Sequence, residues 1–256
     1  VSHVVIPPGV KAIGEDVFIN CKELESIELP DTLESIGKHA FAGCICLENV
    51  KIPNGVLNID WAAFDGCSSL KTIELPDSLE ALGGCAFSGC TSLESVKLPR
   101  GLKEIELNTF EYCEALKEIV FPEELEEIGM EAFLECAGLE KLELREGIKK
   151  IEYGAFNQCR NLQSIYIPDS VEYIENSAFH GCESLGNIEM SGERIRYVGG
   201  EAFEETPCYA TCILGNMTMK TLSCFLKNLE NTEQIAILHL IYFIVMFYNN
   251  CINMTR

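Results

Sequence analysis

The chain has 256 residues and a net charge of −21, and residues 1–206 hold 16 of its 19 basic and 38 of its 40 acidic side chains, a net −22. Such a field repels nucleic acid and anionic lipid, and no basic run or interleaved aromatic patch offsets it. Fourteen cysteines would suit the disulfide framework of a small secreted domain, but their spacing argues otherwise.

Val4, Ile6, Pro7, Val10, Ile13 and Phe18 stand 23 residues before Ile27, Leu29, Pro30, Leu33, Ile36 and Phe41. Phenylalanine then recurs at 64, 87, 110, 133, 156 and 179, and cysteine follows three residues later at 21, 44, 67, 90, 113, 136, 159 and 182. An invariant period is the mark of a repeat array, whose length counts coils rather than domains. The chain opens inside a coil without a polar cap, so an apolar edge is expected there, as in a fragment of a longer protein or a fraying first coil.

Within each unit, Leu24-x-x-Ile27-x-Leu29-Pro30 alternates as a short strand does and stops at a proline that cannot donate to a ladder. Asp31, Asn54, Asp77 or Asp169 after that proline suits a turn. Leu33-x-x-Ile36 reads as a second short strand on the other side of the coil. Ala40-Phe41-x-x-Cys44 has helical spacing and predicts a single helical or 3₁₀ turn. Gly43, Gly66, Gly89 and Gly181 precede their cysteines, but Tyr112, Glu135 and Gln158 stand at the same place. A compulsory left-handed backbone is therefore not expected there.

These strand and turn motifs resemble the leucine-rich repeats of the BspA-like class over residues 1 to about 206. The resemblance implies a curved α/β, β-rich solenoid of about nine stacked coils, with a parallel sheet on its concave face. It also implies a non-catalytic protein-binding or adhesion module at a cell surface.

Stacked coils repeat every ~4.8 Å, so equivalent cysteines have parallel Cα–Cβ bonds about that far apart, whereas a disulfide needs Cβ atoms about 3.8 Å apart and converging. A column of buried reduced thiols is expected. The same stacking sets phenylalanine rings about 5 Å apart, within the favoured aromatic range.

The period slips near the end: one extra residue lies between Met190 and Ile195, Phe203 follows Phe179 by 24, and Thr206-Pro207 replaces the cysteine. Residues 207–256 read as a C-terminal appendage. In it Asn231 could cap a helix with Gln234 reaching back, leading into the apolar run Ile235–Tyr248. Fourteen residues of helix span about 21 Å, short of a bilayer core of about 30 Å. Packing on the last coil, a membrane segment within 235–252, and aberrant translation remain open for it.

The histidines at 3, 39, 180 and 239 lie on different coils, with no recurring partner that would build a triad or an acid–base pair. Cys44-x-Cys46 and Cys208-x₃-Cys212 lack the second pair a zinc site needs. No enzyme, metal or cofactor is expected. On the solvent face of the first strands stand Val5, Glu28, Lys51, Glu74, Lys97, Val120, Glu143, Tyr166 and Glu189 in turn. Glu28 to Lys97 alternate in sign and read as a self-satisfied ladder. Beyond it Val120 and Tyr166 expose apolar surface around Glu143 and beside Glu189. Tyr173 and Tyr197 take solvent positions on the second segment, and Leu107, Met130 and Tyr153 align one position further round. Partner-binding residues are therefore expected among Val120, Glu143, Tyr166, Glu189, Tyr173 and Tyr197, with an unidentified protein as ligand. The competing readings are a structural spacer and, more distantly, an enzyme.

Overall fold

Each unit supplies two short runs in which an apolar residue is flanked by polar ones. Both are extended in the computed structural model, which describes residues 1–190 and 194–207. The first runs form β1 (His3–Val5), β3 (Ser26–Glu28), β5 (Asn49–Lys51), β7 (Thr72–Glu74), β9 (Ser95–Lys97), β11 (Glu118–Val120), β13 (Lys141–Glu143), β15 (Ser164–Tyr166) and β17 (Asn187–Glu189). The second form β2 (Ala12–Ile13), β4 (Ser35–Ile36), β6 (Asn58–Ile59), β8 (Ala81–Leu82), β10 (Glu104–Ile105), β12 (Glu127–Ile128), β14 (Lys150–Ile151), β16 (Tyr173–Ile174) and β18 (Tyr197–Val198). Strands pair in parallel with their equivalents one unit away, so Ile73 lies beside Val50 and Val96. The result is a parallel β-solenoid of nine strand pairs enclosing eight full turns, with no helix among the described residues. The expected helix and membrane segment after Pro207 lie outside the described residues.

Proline ends the first strands, and its carbonyl then accepts the turn-closing amide, as from Leu33 to Pro30 at 3.0 Å and Leu79 to Pro76 at 3.0 Å. The extra residue near the end is absorbed before β18, because Tyr197 registers on Tyr173, and Phe203 stacks on Phe179 at 5.2 Å. Nine phenylalanines from Phe18 to Phe203 form one column, with centroids 5.1–5.6 Å apart and rings within 3–11° of parallel. All but Phe18 are fully buried, alongside columns of leucine, isoleucine, alanine and cysteine. At the first coil Val5, Val17 and Ile19 are exposed.

The Ala40–Cys44 stretch is neither helical nor 3₁₀, contrary to its spacing. Its amides alternate: those of His39, Phe41 and Gly43 donate to Trp61, Ala63 and Asp65 of the next coil, while those of Ala40, Ala42 and Cys44 donate three residues back. A run of tight turns satisfies both directions, which a helix cannot do. The second correction follows from this. The residue before the cysteine is left-handed in every coil, glycine or not, with φ of 57° at Asn20, 71° at Gly43, 58° at Tyr112, 57° at Glu135 and 60° at Gln158. Each of these turns its amide up to the next coil, as Tyr112 does to Leu134 at 2.8 Å. A left-handed L-residue costs about 1–2 kcal/mol, and a buried amide left without a partner costs about 1–3 kcal/mol. The hydrogen bond therefore carries the conformation where no glycine stands.

The periodic cysteines are not bridged to one another, and from Cys44 on they share a kind of partner. From Cys44 to Cys182 each Sγ–H donates to the carbonyl of the phenylalanine 26 residues earlier, at 3.1–3.3 Å. Burial pushes the Cys44 thiol up to about 11 and those of Cys90, Cys113 and Cys136 well above the ordinary value, so these stay protonated. Thiol titration in denaturant without prior reduction should recover all eight. A deficit of eight would mean they are bridged, and in the native state exposed Cys46 should react ahead of the column.

Beside the column runs a polar seam: half-buried Asp65 and Glu111 flank Ser88, whose single hydroxyl proton serves one carboxylate at a time, with Oγ 3.4 Å from Glu111. Burial raises the Asp65 carboxyl above its ordinary 3.8, with the nearby His39 and Ser88 offsetting part of this. A carboxyl raised on folding favours the folded state at low pH, and that contribution is lost as pH rises through its folded value. Asp65→Asn should therefore raise the melting temperature at pH 7, with the gain over the parent shrinking as pH falls toward 3.8. A gain that is constant with pH would show that the carboxyl is not responsible.

Candidate binding face

Strand alternation fixes what the first-strand face presents. Val5 lies beside Glu28, Lys51 beside Glu74, Glu74 beside Lys97, and Lys97 beside Val120 in one ladder. Glu143, Tyr166 and Glu189 are neighbours in another. The two ladders are separate because β11 and β13 do not pair. On either side of the gap the amides of Lys117 and Gln163 donate to Glu94 and Glu140, at 2.9 and 2.8 Å, yet the Glu140 amide makes no such bond to Lys117. A physical reason lies one residue past Val120. Phe121 occupies an inward column otherwise filled by Ile6, Leu29, Ile52, Leu75, Leu98, Leu144, Ile167 and Met190, and its buried ring stands edge-on to Phe133 at 6.0 Å and 83°. A ring needs more room between layers than those chains do, and the ladder parts there.

The parting opens two grooves that share Val120, Phe121 and Arg145. One, of about 410 Å³, is also lined by Lys97, Arg100 and Glu123, and the other, of about 620 Å³, by Lys117, Lys141 and Glu143. A third recess joins Glu143 to Tyr166 and Glu189. Val120 is 50% exposed and Tyr166 42%, so both offer apolar contact area rather than core. Lys141 donates to Glu143 at 2.5 Å, and this holds the Glu143 carboxyl below its usual range. Lys97, Lys117 and Arg145 form no ion pair among the described residues, in a chain whose charge is strongly negative.

The expected neutralised ladder over Glu28–Lys97 is not made. Neither Lys51 nor Lys97 pairs with its glutamate neighbours among the described residues. The lysines that do pair, Lys11 with Glu34 at 2.8 Å and Lys71 with Glu48 at 3.0 Å, lie just outside the strands, where freer side chains can converge. Tyr173 and Tyr197 stack in register on the other ladder and are only half-buried there. Tyr197 Oη donates to Asn176 at 3.3 Å and Arg196 binds Tyr173, so both rings have local partners.

The BspA-type leucine-rich repeat region matches in six copies, over residues 1–117 and 103–232. The chain belongs to the BspA-type leucine-rich repeat family. Among solved structures, a leucine-rich repeat protein from Bacteroides ovatus is 34% identical with a TM-score of 0.67, covering 78% of this chain and 57% of its own. A T. pallidum leucine-rich repeat protein is 32% identical with a TM-score of 0.52, over 72% of this chain and 78% of its own. This chain thus spans little more than half the length of the Bacteroides ovatus protein. No curated protein matches it.

Two features of this BspA-type array escaped the sequence reading. The first is the reach of the apolar column: Leu107, Met130 and Tyr153 are exposed on successive coils as expected, but Trp61 extends their row across Gly84, where a Cβ would come within 2.7 Å of the indole. The second concerns the histidines, which do meet carboxylates. His39 Nδ1 lies 3.2 Å from Asp16 at the equivalent position one unit earlier, and His180 lies 3.8 and 3.6 Å from Glu204 and Glu205. The signal was present in the 23-residue offset of Asp16 and His39.

Proposed function

We infer that this BspA-type solenoid is a non-catalytic protein-binding module, acting at a cell surface, and that it holds its protein ligand on the first-strand face where β11 and β13 part. One observation carries the reading. Val120, Glu143, Tyr166 and Glu189 stand on four successive first strands beside an opening where β11 and β13 do not pair and where Lys97, Lys117 and Arg145 form no ion pair among the described residues. Apolar and aromatic anchors ringed by charge are what interface hot spots are made of. A structural spacer has no use for such an interruption. The cell-surface location rests on the family resemblance.

A photo-cross-linking residue placed at Val120 should capture one discrete protein from the surface fraction of cells that bind the array, whereas the same residue at Glu28 should not. Equal capture at the two positions, or none at either, would favour the spacer. Capture from Tyr173 alone would move the site to the second-strand ladder.

A further inference from the structure

We propose that Glu15, Asp16 and His39 form a binding site for a divalent transition-metal ion, with zinc as the class of ion their donors suit best. The site lies across the first two coils, away from the β11–β13 opening, and is independent of the protein-binding reading. Its origin is the repeat itself. Asp16 and His39 hold the same position 23 residues apart, and both are left-handed, with φ of 59° and 52°. Stacking therefore sets imidazole over carboxylate, and Glu15 brings a second carboxylate from the neighbouring residue. One donor atom from each of the three falls within 4.8 Å of the others, and no other trio of His, Cys, Asp or Glu does so among the described residues.

The distances favour shared coordination. Zinc binds imidazole nitrogen at about 2.0–2.1 Å and carboxylate oxygen at about 2.0–2.2 Å, so two ligands at a tetrahedral angle lie about 3.4 Å apart. His39 Nδ1 and Asp16 Oδ1 are 3.2 Å apart already. Glu15 needs to close by at most about 1.4 Å, which rotation of an exposed side chain supplies. Imidazole with two carboxylates suits zinc or cobalt rather than calcium, which takes six to eight oxygens. Asp65 in the next coil lies within electrostatic reach of the imidazole and adds negative charge behind it. Three protein ligands leave a fourth position for water, as in an open zinc site.

Cobalt(II) titrated into the full chain tests this, since its spectrum separates nitrogen–oxygen ligation from binding by exposed thiols, which adds an intense near-ultraviolet charge-transfer band. The expected result is one equivalent bound, with weak visible d–d bands, no thiolate band, and displacement by zinc. His39→Ala and Asp16→Asn should each weaken binding at least about tenfold, Glu15→Gln should weaken it less, and His180→Ala should leave it unchanged. All four residues are surface or half-exposed, and unchanged circular dichroism confirms folding. Unaltered affinity in His39→Ala, a thiolate spectrum, or no saturable binding would reduce the cluster to a histidine–aspartate ion pair and overturn the proposal.

Discussion

Replacing Phe110 by alanine should lower the array's stability by about 3–5 kcal/mol, the range for emptying a fully buried phenylalanine site. The ring is completely enclosed, stacked between Phe87 at 5.6 Å and Phe133 at 5.4 Å. Neither neighbour can collapse into the gap without leaving its own partner on the other side, so relaxation recovers little. In a solenoid each coil is held mainly by the two beside it, and a void at mid-array weakens the coupling between halves. Urea unfolding of the variant should show a lower midpoint and a shallower slope, as the halves begin to melt separately. Phe18→Ala should cost distinctly less, because that ring is only partly buried and, among the described residues, stacks on Phe41 alone. A loss below about 1 kcal/mol for Phe110→Ala with an unchanged slope would show that the column fills space without coupling the coils.

Combining Val120→Ser with Tyr166→Ala should weaken binding of the protein ligand by about 2–4 kcal/mol, which is about 30- to 700-fold in Kd at 1.4 kcal/mol per decade. Both side chains are about half exposed, so truncation should shift folding by no more than about 0.5 kcal/mol. Glu28→Ala with Lys51→Ala is the matched control, on the same face but on the unbroken stretch of ladder. It should barely alter affinity at moderate salt, because exposed charges there are screened. Equal losses from the two pairs would identify a diffuse electrostatic contact. No loss from either, with a loss from Tyr173→Ala and Tyr197→Ala, would place the ligand on the second-strand ladder.

The 23-residue period, the phenylalanine and cysteine columns, the two strands per coil and the solvent-facing residues of the first strands were all legible in the chain. Each follows from a rule that acts residue by residue: side chains alternate along a strand, and equivalent positions stack when the period is constant. Placing Glu143, Tyr166 and Glu189 as neighbours, with Val120 on the same face one coil earlier, needed nothing more. What the chain could not reveal depends on where backbone hydrogen bonds go between coils. Ala40-Phe41-x-x-Cys44 has the spacing of a helix, but every second amide is claimed by the coil above, and that demand imposes a left-handed residue even on Tyr112, Glu135 and Gln158. Local preference, worth one or two kcal/mol, loses to an inter-coil bond of similar size that each added turn repeats. Likewise Phe121 reads as one more apolar residue in its column, and only packing against Phe133 turns its extra volume into a parted ladder beside Val120. Glu15, Asp16 and His39 were visible as residues, but their convergence depends on how far apart adjacent coils lie and which way left-handed residues project, and these are properties of the stack.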